Sequence, residues 1–301
     1  EQLEMAEVLV VSAPSSARRV LGTLRKFRRL PLIPLFIISL VVFTGIFANL
    51  IAPHSPRGGI LSERLTPPAW SSDGSANHLL GTDQQGRDIL SRIIHGARVS
   101  LLVSAVTLLI GGTVGVTLGL LAGWYGGWID EIIMRMVDIL LALPLILVAL
   151  VLVVSLGQSL SVILVVLAIW IWPRFARMIR GEVLRLRTMD YIALAQVSGA
   201  STFRIITVHL FPGVINTLII IATLQVGIVI LVESTLSFLG AGVPPPTPAW
   251  GSMVAEGRDK LALAWWISTL PGVAIMLTVM ALNLFGDWLR DTLDPRLRQL
   301  E

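Results

Sequence analysis

Apolar positions in this chain do not alternate with polar ones; they run on without interruption. Residues 31 to 52 (PLIPLFIISLVVFTGIFANLIA) carry no charge, and none falls between Arg98 and Asp130 or between Ile139 and Pro173. Two further apolar runs cover 213 to 238 and 264 to 286. A helix rising 1.5 Å per residue needs about 20 apolar residues to cross the hydrocarbon of a bilayer. The pattern therefore predicts spans over 31–52, about 99–122, about 213–238 and about 264–286. The stretch from Ile139 to Pro173 is too long for one crossing and short of the roughly 44 residues that two crossings and a turn require. Two helices must borrow from their flanks there, with the turn near SLGQS (155–159) and with Asp138 and Arg174 at or inside the interface. Six membrane helices result, and the fold class is an all-α integral membrane protein.

Composition agrees: of 301 residues 54% are hydrophobic and 14% charged, where a soluble domain carries about 25% charged residues. Mean hydropathy is +0.81. Cysteine is absent, which removes disulfides and thiolate metal sites. Net charge is +4, and in so apolar a chain the basic excess points to lipid headgroups and cytoplasmic loops before nucleic acid. A basic cluster (Arg18, Arg19, Arg25, Lys26, Arg28, Arg29) precedes the first run as it would in a signal peptide. That run is too long for a cleavable segment and no A-x-A pattern follows, so it reads as a retained span. Most basic residues fall on one side if both termini are cytoplasmic, and the positive-inside rule then sets the orientation.

Several features stand out along the chain. Gly111, Gly115, Gly119 and Gly123 recur every four residues and line one face of the second span, which lets a neighbouring helix approach closely. Upstream, in GTDQQGRDILSRIIHGARVS (81–100), Ile89, Leu90, Ile93, Ile94 and Ala97 make a helical stripe with Arg87, Asp88 and Arg92 off it, and Thr82 with Gln85 fits a capping box. This predicts an interfacial helix on the outer surface feeding the second span; His95 belongs to its polar face, and no metal site is expected. Ionisable groups in spans are costly, which makes Glu233 and Asp138 candidates for a transport path or gate. Glu233 near the outer interface also suits a paired structural carboxylate, and Gln225, Asn216 and Asn283 suit interhelical hydrogen bonds. VPPPTPAW (243–250) cannot be helix and reads as a stiff outer turn.

Missing motifs narrow the chemistry. There is no Gly-Lys pair and hence no phosphate-cradling P-loop, and neither H-E-x-x-H nor G-x-S-x-G occurs. The chain is not expected to be an enzyme or to hold a cofactor. Nearly charge-free spans also give little to an ion-driven carrier. What remains is a passive or ion-driven carrier, or the membrane half of a machine powered by another subunit.

One stretch is too polar to span: YIALAQVSGASTFRIITVHLFP (191–212). Thr188 as N-cap and Asp190 in the first turn predict a short helix to Val197, Gly199 a turn, and Ser201 the start of a second helix that aligns Phe203, Ile206 and Leu210, with Pro212 preceding the fifth span. On the residues alone it suits either a solvated connector or a handle inserted into a partner's groove. It resembles the cytoplasmic EAA loop of ABC importer permeases: Ala195 matches the second alanine, Gly199 the glycine, and His209-Leu210-Phe211-Pro212 the closing segment, while Ala193 and Leu194 replace the usual glutamate and first alanine. GTDQQGRDILSRIIHGARVSL, GLLAGWYGGWID, MRMVDILLALP, ESTLSFLGAGVPPPTPAWGSM and NLFGDWLRDTLDPR extend the resemblance from about residue 79 to 297, to the second permease subunit of dipeptide and oligopeptide importers.

The resemblance implies a type I importer permease in a bacterial or archaeal cell membrane. It implies a cytoplasmic tail over 1–29, a first span and outer loop over 30–78, a core domain over 79–297 with the coupling loop at 188–212, and a tail over 298–301. Partners would be a homologous second permease, two ATPase subunits that hold ATP and Mg, and an extracytoplasmic solute-binding protein. Docking to the ATPase would fall to Tyr191, Ala195, Ser198, Gly199, Ala200, Ser201, Arg204, His209 and Pro212. Similar permeases handle nickel, glutathione or oligosaccharides, so cargo stays open between these and peptides, and a stand-alone carrier is the remaining rival.

Overall fold

A computed structural model describes residues 30–293. The expected cytoplasmic tails at 1–29 and 298–301 lie outside the described residues. From Ile33 onward the chain forms one compact unit. Among the described residues there is no β-strand, only an isolated bridge between Thr82 and Asp88. In chain order the α-helices are α1 (Leu32–Ile46), α2 (Ala48–Ile51), α3 (Ile89–Tyr125), α4 (Gly127–Ala142), α5 (Leu145–Leu156), α6 (Leu160–Arg187), α7 (Asp190–Val197), α8 (Thr202–Phe238), α9 (Trp250–Gly257) and α10 (Trp266–Leu293).

Four of these, α3, α6, α8 and α10, are each long and apolar enough to cross a membrane, and the pair α4 and α5 makes a fifth if taken as one span. That pair bends by 85°. Pro144 explains the break, since a proline pushes the residue before it out of the α region, and Leu143 accordingly sits at φ −75°, ψ 133°. The expected turn near 155–159 falls in place: α5 ends on Gly157, and Ser159 caps α6 by accepting from the Val162 amide. α1 is only 15 residues long and breaks at Phe47. Arg98 of α3 closes that break, its guanidinium donating to the carbonyls of Gly45 and Ile46, each at 2.9 Å. Those carbonyls have lost helical partners, and a cation is the favoured group there.

The centre of the bundle is the parallel pair α3 and α6. The glycine ladder is the reason they can approach: a Cβ at Gly111 would lie 2.8 Å from the Ala168 carbonyl oxygen, at Gly115 2.6 Å from Phe175 Cβ, at Gly119 2.7 Å from the Ala176 oxygen, and at Gly123 2.7 Å from Val183 Cβ. Backbone lies against backbone over about three turns, the packing that replaces hydrophobic drive in lipid. α8 returns antiparallel to α10, with Gly227 against Val279, Leu282 and Asn283, and Gly286 against Leu224. Exposed Leu109, Val151, Val154 and Val165 face outward as hydrocarbon would require. The bundle thus has an upper end, where α3 begins, and a lower end, where α3 finishes.

The upper end departs from the sequence reading. No separate interfacial helix precedes the span, because α3 is one helix of 37 residues whose N-cap is Asp88. The capping box of Thr82 with Gln85 does not form. Instead the Thr82 hydroxyl donates to the Glu63 carbonyl oxygen at 2.5 Å and accepts from the Thr66 amide at 2.9 Å. Arg87, Asp88 and Arg92, expected on an exposed face, are buried, Arg92 to 2% exposure. Asp83 accepts from Arg87 Nε at 2.6 Å and from Arg92 Nη1, while Glu256 of α9 takes Arg92 Nη1 at 2.7 Å and Arg87 Nη2 at 2.8 Å. The buried charges are tolerated because each meets an opposite one. α9, an unexpected helix after the proline turn, packs against α10, α8 and the start of α3, with Gly257 against Ser268 and Ile267 of α10, the Trp250 indole donating to the Ile93 carbonyl at 2.9 Å and Gly251 lying against Ser234.

Candidate functional site

Residues 188–212 occupy the lower end, reached by α6 and left by α8. The Thr188 hydroxyl donates to the Arg185 carbonyl as α6 ends, and α7 starts one residue later than expected, with Met189 as N-cap and Asp190 in the first turn. α7 finishes in a complete Schellman motif: Ala200 N–H bonds the Ala195 carbonyl and Gly199 N–H the Gln196 carbonyl, both at 3.0 Å. Gly199 holds φ +74°, a left-handed conformation that a side chain would strain, with open space around it. Ala195 and Ala200, the residues this motif brings together, both pack on the hydrophobic core. Ser201 then caps the next helix by accepting from the Arg204 amide.

That helix does not stop before the span. It runs from Thr202 through a wide π-type segment, Ile205–Leu210, directly into Phe211–Phe238. Pro212 is inside the helix, where it has no N–H to give and its ring would press on the Val208 carbonyl of a regular turn; the widened turn just before it makes room. The same widening rotates the face expected to hold Phe203, Ile206 and Leu210 together. Leu210 is buried, along with Ile192, Ile205 and Val214, whereas Phe203 is 77% exposed.

The site candidates separate accordingly. Ser198, Gly199, Ser201 and Arg204 form an exposed tip, and Ala195 and Ala200 are half-buried beneath it. Tyr191 braces α7 against α8, its hydroxyl lying 3.6 Å from where a Cβ on Gly213 would be. His209 and Pro212 lie further along α8, away from the tip. Leu194 and Val197, at 67% and 88% exposure, flank the tip with Phe203 and had not been singled out on the sequence as surface residues. Together they put an exposed apolar rim around a polar tip at the lower end of the bundle.

The path candidates do not converge. Glu233 and Gln225 share a face of α8, two turns apart, and both are buried. Ser237 donates to Glu233 Oε1 at 2.7 Å. Among the described residues Glu233 Oε2, Gln225 Oε1 and the α3 hydroxyls of Ser100, Ser104 and Thr107 have no hydrogen-bond partner, buried polar atoms on two helices of an apolar bundle. Asp138, by contrast, is on α4 and pairs with Arg177 on the surface. Asn283 lies against Gly227 where α8 and α10 meet.

A second cluster, at the upper end, has no counterpart in the sequence reading. His78 is held between Asp88 and Glu63. Burial alone would lower its pKa, but hydrogen bonds to those two carboxylates outweigh burial and raise it above 6.5. His95, in contrast, lies at the rim, bonded to the Ser91 carbonyl and to Asn49.

Several helices of this length and apolarity define a multi-pass membrane protein. The family description "Binding-protein-dependent transport system inner membrane component" matches residues 115–299. The chain belongs to that family, and is an inner-membrane component of a transport system, of the permease kind. It is 44% identical over 264 residues to the di/tripeptide transport system permease protein DppC of Pseudomonas aeruginosa, covering 88% of this chain and 87% of that one. It is 43% identical over 298 residues to the dipeptide transport system permease protein DppC of Escherichia coli, covering 98% and 99%. Its identity to the DppC of Haemophilus influenzae is 38% over 295 residues, 98% of this chain and all of that one.

Proposed function

We propose that this chain is the second permease subunit of a type I ABC importer for dipeptides and short oligopeptides. Six spans follow if α1 with α2 counts as the first and the bent pair α4 and α5 as the third. Both termini and the lower end then face the cytoplasm, where Arg174, Arg177, Arg180, Arg185, Arg187 and Arg204 accumulate. The observation that carries the reading is the Schellman-capped turn with its apolar rim, Leu194, Val197 and Phe203. Such a rim is unsuited to cytosol unless covered, and its shape suits a groove on an ATPase subunit. A homologous permease, a second ATPase and a solute-binding protein complete the assembly, with ATP and Mg held by the ATPases. The names of the relatives support dipeptide as cargo.

Mechanistically, closing of the ATPase pair draws the 188–212 segments together and biases the bundle toward its outward-open form. Such coupling requires that the partner bind one state better, typically by about 1–3 kcal/mol. Because α8 continues without a break from the tip to Glu233, it transmits displacement as a rod. The buried Glu233 and Gln225 are the proposed path elements on that rod.

The test is a pair of surface charges, Val197→Asp and Phe203→Asp, in the complete complex. Both side chains are exposed, so the fold is unaffected. Each substitution is expected to weaken ATPase association by about 2 kcal/mol or more, roughly 30-fold, as central apolar contacts do. ATP-driven peptide uptake in proteoliposomes falls with it. Normal co-purification of the ATPases and normal uptake in the double variant would exclude this surface as the docking site. Flux through the purified single chain without ATP would favour a stand-alone carrier.

A further inference from the structure

We propose that His54, His78 and Asp88, at the upper end, form a binding site for a divalent transition-metal ion of the zinc type. Their ligand atoms all lie within 4.8 Å of one another. His78 Nδ1 is 2.9 Å from Asp88 Oδ1, His54 Nδ1 is 3.9 Å from Asp88 Oδ2, and the two imidazole rings face each other with centroids 4.7 Å apart. Bonds of about 2.0–2.1 Å in a tetrahedron put neighbouring donors about 3.3 Å apart. His54 has only to swing in by about an ångström to complete that figure, and its half-exposed side chain is free to do so.

The surroundings are arranged as a metal site requires. His78 Nε2 meets Glu63 Oε2 at 3.2 Å. A carboxylate on the far nitrogen selects the tautomer with a lone pair on Nδ1, the nitrogen that faces Asp88 and His54. Asp88 is held too: its Oδ2 accepts from Ser91 N at 2.8 Å and from Ser91 Oγ at 2.7 Å, leaving Oδ1 directed at His78. Ser91 Oγ in turn accepts from the backbone amide of His54 at 3.0 Å, which places the third ligand. Imidazole nitrogens with one carboxylate are a donor set for zinc, nickel or copper rather than for calcium or magnesium. Three protein ligands leave a fourth position to water. Bound there, the ion ties residues 54 and 78, both in the irregular segment between α2 and α3, to the N-cap of α3, adjoining the Asp83, Arg87, Arg92 and Glu256 cluster that holds α9.

The competing account of the same geometry is a protonated His78 bridging two acids with no metal involved. The two separate on direct measurement. The chain is purified in its complex without a histidine tag, stripped with EDTA, dialysed, and titrated with zinc chloride, with metal content read by mass spectrometry and stability by thermal unfolding. One tightly held zinc per chain, a melting temperature that EDTA lowers and zinc restores, and the same behaviour in the control His95→Ala are expected. His54→Ala should abolish stoichiometric retention, and since His54 is a half-exposed loop residue its loss leaves folding intact. Glu63→Gln should weaken affinity by about 10–100-fold while leaving stoichiometry unchanged, as loss of an orienting carboxylate does. Absence of stoichiometric zinc in the wild-type chain, or equal retention by His54→Ala, overturns the proposal.

Discussion

Replacing Gly119 by alanine, and separately its near neighbour Gly112, isolates what the glycine ladder does. At Gly119 an added Cβ would sit 2.7 Å from the Ala176 carbonyl oxygen, 3.0 Å from Ile179 Cβ and 3.2 Å from Ala176 Cα. Two of those atoms are backbone and cannot swing aside. Ordinary contact begins near 3.4 Å, so α3 and α6 must part by about 0.7 Å, and a radial gap of that size forfeits about a quarter to a half of the dispersion energy of the contacts it opens. Overpacking of this kind costs about 1–3 kcal/mol, against which the better helix propensity of alanine returns about 1 kcal/mol. At Gly112 the nearest atom is Phe175 Cζ at 3.8 Å; the methyl group fits, and the helix gains the full propensity term. The two alanines, seven residues apart on one helix and chemically identical, are therefore expected to move the thermal midpoint of the purified complex in opposite directions, Gly119→Ala down and Gly112→Ala level or up. If Gly119→Ala melts with or above the wild type, close approach at the ladder is not what joins these helices.

Glu256→Ala leaves Arg87 and Arg92 facing only Asp83; because Glu256 is one-third exposed, the cost should fall toward the lower end of the about 3–5 kcal/mol for breaking a buried pair, visible as earlier proteolysis between residues 239 and 265. Gly199→Leu should destabilise the Schellman turn by about 1–2 kcal/mol through its left-handed φ, and Gly199→Asn by less, with ATPase stimulation following the same order; equal activity of both variants would show that turn geometry is immaterial to coupling. Glu233→Gln preserves shape and the bond from Ser237, so assembly should be normal while uptake changes; unaltered uptake kinetics would assign the carboxylate a structural role. Arg98→Met removes the donors that close the break at Phe47, and should loosen α1 from α3, detectable as a lower melting temperature without loss of ATPase binding.

Much was decided by the sequence on its own, because lipid imposes a rule that local sequence must obey: uncharged runs of sufficient length have to be helices that satisfy their own backbone. That rule set the four long spans, α3, α6, α8 and α10, and the turn near Gly157, and the spacing of Gly111 through Gly123 announced a close helix contact before any partner was known. Gly199 was equally readable, since few other residues end a helix in that way. Tertiary structure alone decided the rest. Arg87 and Arg92 looked like surface residues because a partner they share is remote, Glu256 being 164 positions beyond Arg92, and periodicity is blind to that distance. His54 and His78 have no regular spacing and meet only when the loop folds over the start of α3. The bend at Pro144 and the widened turn before Pro212 were not foreseen, the first because a proline marks a break without its angle. The second was missed because whether a helix stops at a proline or passes through it depends on neighbours that shelter the freed backbone groups, and those neighbours exist only in the folded bundle.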